Sequence, residues 1–286
     1  MPELPEVQTT VSFLSKKLKN KKIKKVVVLS AKQFLGNPQK LVGKTIRRVE
    51  RRGKLIVFVL EKKLFLLIHL KLTGQLVFAA SLRDKKATFP EPLPFAGGNV
   101  LPGKSTRIIL YLSPQGAVFF NDLRKFGWMK VGGESLLKKE TAALGVEPLS
   151  AEFNPQYLEK IFAKTKRAVK IVLMDQHLIA GVGNIYANEA LFRAGISPQR
   201  PANKLTAEEI RKLCRAIKEV LKEGIKFRGT SAADDAYVQP NGRQGRFQKY
   251  LQVYQREGEK CFRCGGKIKR INLGGRGTFF CPRCQR

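Results

Sequence analysis

The spacing of apolar and polar residues divides the chain into two halves with different patterns. In residues 4–19, Val7, Val11, Leu14 and Leu18 recur on one face of a helical period, which predicts a helix. Short runs rich in Val, Ile and Phe follow, and Gly, Pro and Asn separate them, which predicts strands. These runs are KIKKVVVL, TIRRVE, KLIVFVLE, LFLLIHL, GQLVFAA, RIILYL and AVFFND. Together they predict a two-sheet β-sandwich that follows the helix.

Two stretches break this pattern and are predicted to be loops. Residues 87–105 contain four prolines and three glycines, which favours a long loop. Residues 230–247 are rich in Gly, Gln and Arg, and they predict a second loop before the cysteine-rich end.

In the second half of the chain the apolar spacing becomes helical. Asn154 followed by Pro155 predicts a helix start, and RAVKIVLMD and GVGNIYANEALFRAG predict two further helices. Thr206 and Glu209 form a capping-box pattern for a helix that is expected to end at Gly224.

The end of the chain carries most of the cysteines, namely Cys261, Cys264, Cys281 and Cys284. Their C-x2-C-x16-C-x2-C spacing is typical of a zinc ribbon, in which four thiolates close a structural site. A redox or disulfide pair of CxxC units is the alternative. The stretch INLGGRGTFF between the pairs predicts two strands with Arg276 at their tip. Cys214 lies on the apolar face of a helix and is expected to be buried.

These elements predict an α+β chain with three domains. An N-terminal helix and β-sandwich occupy residues 1–145, a helical domain occupies 146–250, and a zinc-ribbon finger occupies 251–286. The sequence has no apolar run of about 18 residues and no secretory signal, so a cytoplasmic chain without a membrane partner is expected.

The charge of the chain indicates a polyanionic partner. Lys and Arg number 55 and Asp and Glu number 22, which gives a net charge of +33. Basic residues are spread along the whole chain, as in KKLKNKKIKK and RRVERRGK, so both halves are predicted to face the same polyanion. Nucleic acid is the leading candidate, because phosphate neutralisation releases counterions. A solvated surface in a Lys-rich organism is the alternative.

The chain begins MPELPEV. Its two prolines restrict the backbone where a chain is usually loose, which is unusual. Loss of Met1 would leave Pro2 with a secondary amine, and such an amine attacks carbonyl-like carbons to form an iminium. Glu3 is placed to donate or accept the proton that this chemistry needs. Glu6 suits the positive end of a helix, so a structural role is predicted for it. The alternative for the whole stretch is a rigid helix start.

With this N-terminus, several further stretches resemble bacterial formamidopyrimidine-DNA glycosylases along nearly the whole chain. They are RRGKL, HLKLTGQL, DLRKFGW, LGVEPLS, MDQHLIAGVGNIYANEALFRAGISP, YLQVYQREGEKC and GRGTFFCPRCQ. The resemblance implies a helix-two-turn-helix domain before the zinc ribbon. It also implies a monomer that removes 8-oxoguanine and formamidopyrimidines from double-stranded DNA and then cleaves the strand by β,δ-elimination.

The resemblance also implies roles for individual residues. Pro2 matches the nucleophile that attacks C1′, Glu3 matches the acid that protonates the opening deoxyribose, and Lys54 matches a phosphate-binding lysine. Leu72, Arg124 and Phe126 match the side chains that fill the space of the extruded nucleotide, and ordinary core packing is the alternative for Leu72 and Phe126. Two further matches, Asn184 in the GVGN turn and Arg276, imply contacts with DNA. The loop at 230–247 occupies the place of the flap over the everted base.

Some positions depart from the family pattern, and two rival functions stay open. Relatives commonly have Met at the position of Leu72, and they often have histidine in the region that reads GKSTRI here. His69 and His177 are both predicted to be structural. The first rival resembles endonuclease VIII, which prefers oxidised pyrimidines, although Leu4 and DLRKFG favour the purine branch. The second rival is a zinc-ribbon protein that binds nucleic acid without catalysis.

Overall fold

The fold is described from a computed structural model, which covers residues 1–94, 98–231 and 237–286. The chain forms two compact units. The first contains Met1–Ala142 and Ile225–Gln248, and the second contains Ala143–Gly224 and Lys249–Arg286. The first unit is therefore discontinuous in sequence. The domain boundaries at 145 and 250 stay predictions.

The first unit begins with helix α1, Leu4–Leu18, as the apolar spacing predicts. Its strands are β1 Lys22–Val28, β2 Phe34–Leu35, β3 Ile46–Arg52, β4 Leu55–Leu60, β5 Phe65–His69, β6 Gly74–Ala79, β7 Ala87–Leu93, β8 Gly98–Leu101, β9 Thr106–Ser113, β10 Ala117–Asp122 and β11 Trp128–Gly132. A short helix, α2, spans Glu134–Thr141. Every strand predicted from an apolar run is present.

The strands form the two sheets of the predicted sandwich. One sheet has the order β1-β9-β10-β6 and the other has the order β2-β11-β5-β4-β3. The core between them contains Leu110 and Phe120 from the first sheet, Ile56 and Ile68 from the second, and the apolar face of α1 including Val11. The α+β prediction is therefore confirmed for this half of the chain.

The prediction of a loop at 87–105 is wrong for Ala87–Leu93 and Gly98–Leu101, because they form the β7–β8 hairpin. Residues 102–105 lie outside the strands, as predicted. Ala87 pairs with Leu101 and Leu93 pairs with Gly98, and the ladder shifts register between these pairs. The prolines at 90 and 92 lie within this interruption, where no ladder donor is lost. Phe89 packs with Ile109 on the outer face of the first sheet, so apolar burial stabilises the hairpin. Residues 95–97 lie outside the described residues.

The second unit is helical, and side chains cap two of its helix starts. The helices are α3 Pro155–Phe162, α4 Val169–Met174, α5 Asn184–Ala194 and α6 Ala207–Lys226. The last two residues of α6 belong to the first unit. Asn154 Oδ1 accepts the Tyr157 backbone N–H at 2.8 Å, and Thr206 and Glu209 form the predicted capping box. The predicted end of α6 at Gly224 is wrong by two residues. Gly224 lies inside the helix, where a Cβ would be 2.5 Å from the Tyr186 ring, so close packing rather than a helix end accounts for this glycine.

The chain ends in a hairpin of β12, Lys269–Leu273, and β13, Arg276–Phe280. Gly274 and Gly275 join the strands with φ of 58° and 71°, a turn that favours glycine at both positions. The predicted ribbon with Arg276 at its tip is confirmed. In the parts of the chain that the structure covers, none of the helices has the length and apolar character needed to cross a bilayer.

Candidate functional site

The start of α1 is buried and is held by a carboxylate. Glu3 and Glu6 keep only 2% and 1% of their surfaces exposed, and Pro2 is buried beside them. Glu6 Oε2 accepts the Glu3 backbone N–H at 2.8 Å, and Glu6 Oε1 accepts the Thr230 backbone N–H at 2.8 Å. The structural role predicted for Glu6 is present. Its bond to Thr230 joins the chain start to the base of the 230–247 loop, which the sequence did not indicate.

A glycine makes this approach between loop and helix possible. Gly229 has φ of +81°, and a Cβ there would lie 2.8 Å from Glu6 Cγ and 2.9 Å from the Tyr237 ring. Any side chain at this position would therefore push the loop away from the helix start. Residues 232–236 of the predicted flap lie outside the described residues.

Lys54 lies in the turn between β3 and β4, and 7% of its surface is exposed. The turn is tied to α1, because Arg51 Nε donates to Gln8 Oε1 at 2.9 Å and Arg51 Nη1 donates to the Gly53 carbonyl at 3.0 Å. Lys54 is therefore held on a fixed turn rather than on a free strand end. Its role in binding phosphate stays a prediction.

His69 lies between the residue that follows Lys54 and the turn that contains Leu72. It pairs with Leu55 across the β4–β5 ladder, and its Nδ1 accepts the Lys71 backbone N–H at 3.0 Å. Burial, together with the charges of Lys71, Lys54 and Lys130, lowers the pKa of His69 to about 3. The imidazole is therefore neutral at physiological pH and carries its proton on Nε2, which agrees with the structural role predicted for His69.

The three predicted void-filling residues lie on two loops of the first unit. Leu72 is half-buried in the turn between β5 and β6, and Arg124 and Phe126 lie in the loop after β10. Phe126 is 53% exposed, so it is not a core residue. The Arg124 guanidinium carbon lies 5.2 Å from the Phe126 ring centroid, within cation–π range. The loop therefore presents an exposed aromatic ring beside a hydrogen-bond donor.

In the second unit the GVGN turn lies against the hairpin. Gln176 shapes this turn, since its Oε1 accepts the Gly181 N–H at 2.8 Å and its Nε2 donates to the Val182 carbonyl at 2.7 Å. Asn184, the first residue of α5, donates through Nδ2 to the Gly277 carbonyl at 3.1 Å. Gly277 follows the exposed Arg276, so the fold brings both predicted DNA contacts of this unit close together.

A buried lysine that the sequence analysis missed supports the same place. Lys170 of α4 is fully buried, and its Nζ donates to Thr278 Oγ1 at 2.6 Å and to the Gly277 carbonyl at 3.4 Å. Its position inside the apolar segment VKIVLM is the signal that could have identified it, because buried ammonium groups need specific partners. The Lys170 amino group therefore lies directly behind the hairpin tip.

The four predicted metal ligands come together in the hairpin segment. They are Cys261, Cys264, Cys281 and Cys284. All four sulfurs lie within 4.8 Å of one another, with separations of 3.9 Å for Cys261–Cys284 and 3.5 Å for Cys264–Cys281. A tetrahedral site with Zn–S bonds of about 2.3 Å requires sulfur separations of about 3.8 Å, so the cluster fits zinc. A hydrogen bond from the Gly266 backbone, followed by those with the other cysteines, lowers the pKa of Cys264 to about 7.

Family models match most of the chain in three consecutive segments. Residues 1–129 match the formamidopyrimidine-DNA glycosylase N-terminal domain, and residues 144–235 match the H2TH domain of the same glycosylases. Residues 258–286 match a zinc finger found in FPG and IleRS.

Curated relatives and solved structures match the chain over its full length. The formamidopyrimidine-DNA glycosylase of Desulfitobacterium hafniense is 42% identical over 100% of both chains, and that of Pelotomaculum thermopropionicum is 40% identical over 100% of this chain and 99% of its own. The MutM (Fpg) protein of Thermus thermophilus is 38% identical, with a TM-score of 0.84 over 99% of this chain and 98% of its own.

Two Lactococcus lactis Fpg structures cover 100% of both chains at 32% identity. One, a variant bound to DNA that contains Fapy-dG, has a TM-score of 0.85, and the other, a wild-type complex with oxidised-pyrimidine DNA, has a TM-score of 0.84. The sequence motifs, the sandwich with its buried helix start, the four-cysteine hairpin and these full-length matches agree, and the chain belongs to the formamidopyrimidine-DNA glycosylase family.

Proposed function

We propose that this chain is a bifunctional DNA glycosylase and AP lyase of base excision repair that removes oxidised purines from double-stranded DNA. Family membership supports the glycosylase activity. The observation that carries the proposed chemistry is the buried and hydrogen-bonded start of α1, where Glu3 is only 2% exposed. A terminus with no function would fray, whereas a terminal nucleophile must be held in a fixed position.

The proposed reaction uses the Pro2 nitrogen after Met1 has been removed. Its lone pair forms a bond to C1′ of the extruded nucleotide while the glycosidic bond breaks. The damaged base leaves with the electron pair of the glycosidic bond and takes up the proton that the Pro2 nitrogen loses. Glu3 gives its proton to O4′ as the deoxyribose opens, which leaves an iminium between Pro2 and C1′. Loss of a proton from C2′ then expels the 3′ phosphate, and a second elimination expels the 5′ phosphate.

The other site residues hold the DNA for this chemistry. Extrusion of a nucleotide costs a few kcal/mol of stacking, and Leu72, Arg124 and Phe126 offset that cost by occupying the vacated space. Lys54 binds the phosphate beside the lesion, and Asn184 and Arg276 bind backbone phosphates further along. One Zn²⁺ on the four thiolates would supply the folding energy that so short a hairpin lacks.

Oxidised pyrimidines are the second candidate substrate, because a solved relative was crystallised with oxidised-pyrimidine DNA. The two candidates are separated by rates of strand cleavage on matched duplexes with 8-oxoguanine, a formamidopyrimidine or an oxidised pyrimidine at one position. We expect the two purine lesions to be cleaved fastest. Faster cleavage of the pyrimidine lesion would favour the endonuclease VIII-like rival.

Borohydride trapping tests the chemistry itself. Reduction of the iminium should leave a covalent complex between the chain and a lesion-bearing duplex, and Pro2→Gly should reduce its yield sharply. Mass spectrometry of the purified chain must first show that Met1 is absent. If the processed chain binds the duplex with high affinity but forms no adduct, the proposed mechanism is wrong and the non-catalytic rival is favoured.

A further inference from the structure

A buried aspartate holds together the two loops that carry the void-filling side chains. Asp122 is the last residue of β10 and is fully buried. Its Oδ1 accepts the Thr73 hydroxyl at 2.5 Å, and its Oδ2 accepts the Gly127 backbone N–H at 2.7 Å and Gln33 Nε2 at 2.9 Å. One carboxylate thus joins the turn that contains Leu72 to the far end of the 123–127 loop.

The same groups make a second set of bonds around this carboxylate. Thr73 Oγ1 accepts the Arg124 backbone N–H at 3.0 Å, so the turn and the loop also contact each other directly. Gln33 Nε2 donates to the Gly127 carbonyl at 2.8 Å, and Arg107 Nε donates to the Asp122 carbonyl at 2.9 Å. The loop is therefore tied down at its first residues and at its last.

Packing of the loop's own side chains does not explain its shape. Leu123 is 48% exposed and Phe126 is 53% exposed, so the apolar residues of the loop bury little surface. Lys125 has φ of 58°, a conformation that non-glycine residues adopt only when their surroundings hold them in it. Gly127 fits only without a side chain, since a Cβ there would lie 2.7 Å from Phe120 Cζ. The loop is therefore fixed mainly by hydrogen bonds, and Asp122 holds both side chains, Thr73 and Gln33, that make the other bonds to the loop.

We propose that Asp122 is a positioning residue that pre-organises Leu72, Arg124 and Phe126 for insertion into the duplex. This inference rests on the proposed function, in which those side chains fill the vacated space. A wedge that is already ordered avoids the entropy of ordering it during binding, and more interaction energy is left to offset unstacking. An asparagine would place an amide donor where Asp122 accepts several hydrogens, so at least one donor would lose its acceptor.

The effect should appear only when a partner strand is present. A single-stranded oligonucleotide with an abasic site needs no wedge, so Asp122→Asn should be trapped on it by borohydride as efficiently as the wild type. On an 8-oxoguanine duplex, kcat/KM should fall by about tenfold, which corresponds to loss of one buried hydrogen bond. A 2-aminopurine beside the lesion should also lose the rapid fluorescence rise that reports unstacking.

Two further variants make the test decisive. Asp84→Asn makes the same chemical change at an exposed turn and should match the wild type in every assay. Thr73→Val removes the hydroxyl between Asp122 and Arg124 and should reproduce the duplex defect, even if Asp122→Asn does not fold. Wild-type duplex kinetics in Thr73→Val and in any folded Asp122→Asn would overturn the inference, as would an equal loss on single strands. Failure of the wild type itself to be trapped on either the single strand or the duplex would instead refute the proposed function.

Discussion

The neutral imidazole of His69 leads to a prediction about stability against pH. Its folded pKa of about 3 lies below the ordinary value of 6.5, so the unfolded chain binds a proton at pH values where the folded chain does not. The stability that this group contributes is therefore complete above about pH 6.5 and is lost progressively as the pH falls toward 3. Protonation would also remove the acceptor for the Lys71 N–H, which holds the Leu72 turn.

The magnitude follows from the two pKa values. For one group with pKa 6.5 unfolded and about 3 folded, acidification from pH 7 to 5 lowers the free energy of unfolding by about 2 kcal/mol. This figure is an upper value, because the residue is half-buried by surface area and solvent weakens the effect. Carboxylates with ordinary pKa values stay largely ionised above pH 5, so they contribute little in this range.

Two measurements test this reasoning, and the composition helps both, since the chain has only 2 histidines. In proton–carbon NMR spectra, the imidazole signal that disappears in His69→Gln should not shift between about pH 8 and pH 5. Urea unfolding at pH 7 and 5 should show the wild type losing more stability than His69→Gln, with His177→Gln as the matched control that keeps the wild-type loss. A titration midpoint near 6.5 for the His69 signal would refute the argument.

Three other outcomes are expected. Removal of metal with a chelator should abolish DNA binding, and added Zn²⁺ should restore it. Cys264→Ser should lower the zinc content below one per chain whereas the buried Cys214→Ser should not, and DNA binding by metal-free protein would contradict the structural role. Gly224→Ala should lower the free energy of unfolding by about 1–3 kcal/mol because its Cβ would overlap Tyr186, although alanine normally favours a helix. Exposed Lys222→Ala is the control in urea unfolding, and equal stability of both variants would contradict the packing. Affinity for a duplex should fall by at least about 100-fold between about 50 and 200 mM salt, as four or more phosphate contacts require, and a flat fluorescence-anisotropy response would exclude such contacts.

The sequence alone predicts those helices and strands that are determined by residues close together in the chain. The strand runs, the α1 face and the capped helix starts at Asn154 and Thr206 were all predicted, because alternation and capping act over a few residues. The β7–β8 hairpin was missed because its prolines resemble loop residues until the partner strand and the outer apolar cluster are known. Strand β11 was missed for a similar reason, since its partner β5 lies far away in sequence.

The same distinction between local and distant signals applies to the residues of the candidate site. The cysteine spacing and the family motifs identified residues that carry their own chemistry, such as Pro2, Glu3 and the metal ligands. Residues that act through distant partners had no such signal. Asp122 bonds to Thr73 because the register of the sheet places them together. Glu6 bonds to Thr230 because residues 225–248 pack back into the first unit.

The discontinuity of the first unit has a consequence for biosynthesis. Val238 completes an apolar cluster with Val77 and Phe119, and the Phe78 N–H bonds to the Pro240 carbonyl. More than half of the chain that follows β11 must therefore be translated before residues 238–240 can cover the outer face of the first sheet. Until then the apolar face of the nascent chain is exposed to solvent, and chaperones can bind it. A chain that is terminated before residue 238 would keep this face exposed and would be prone to aggregate.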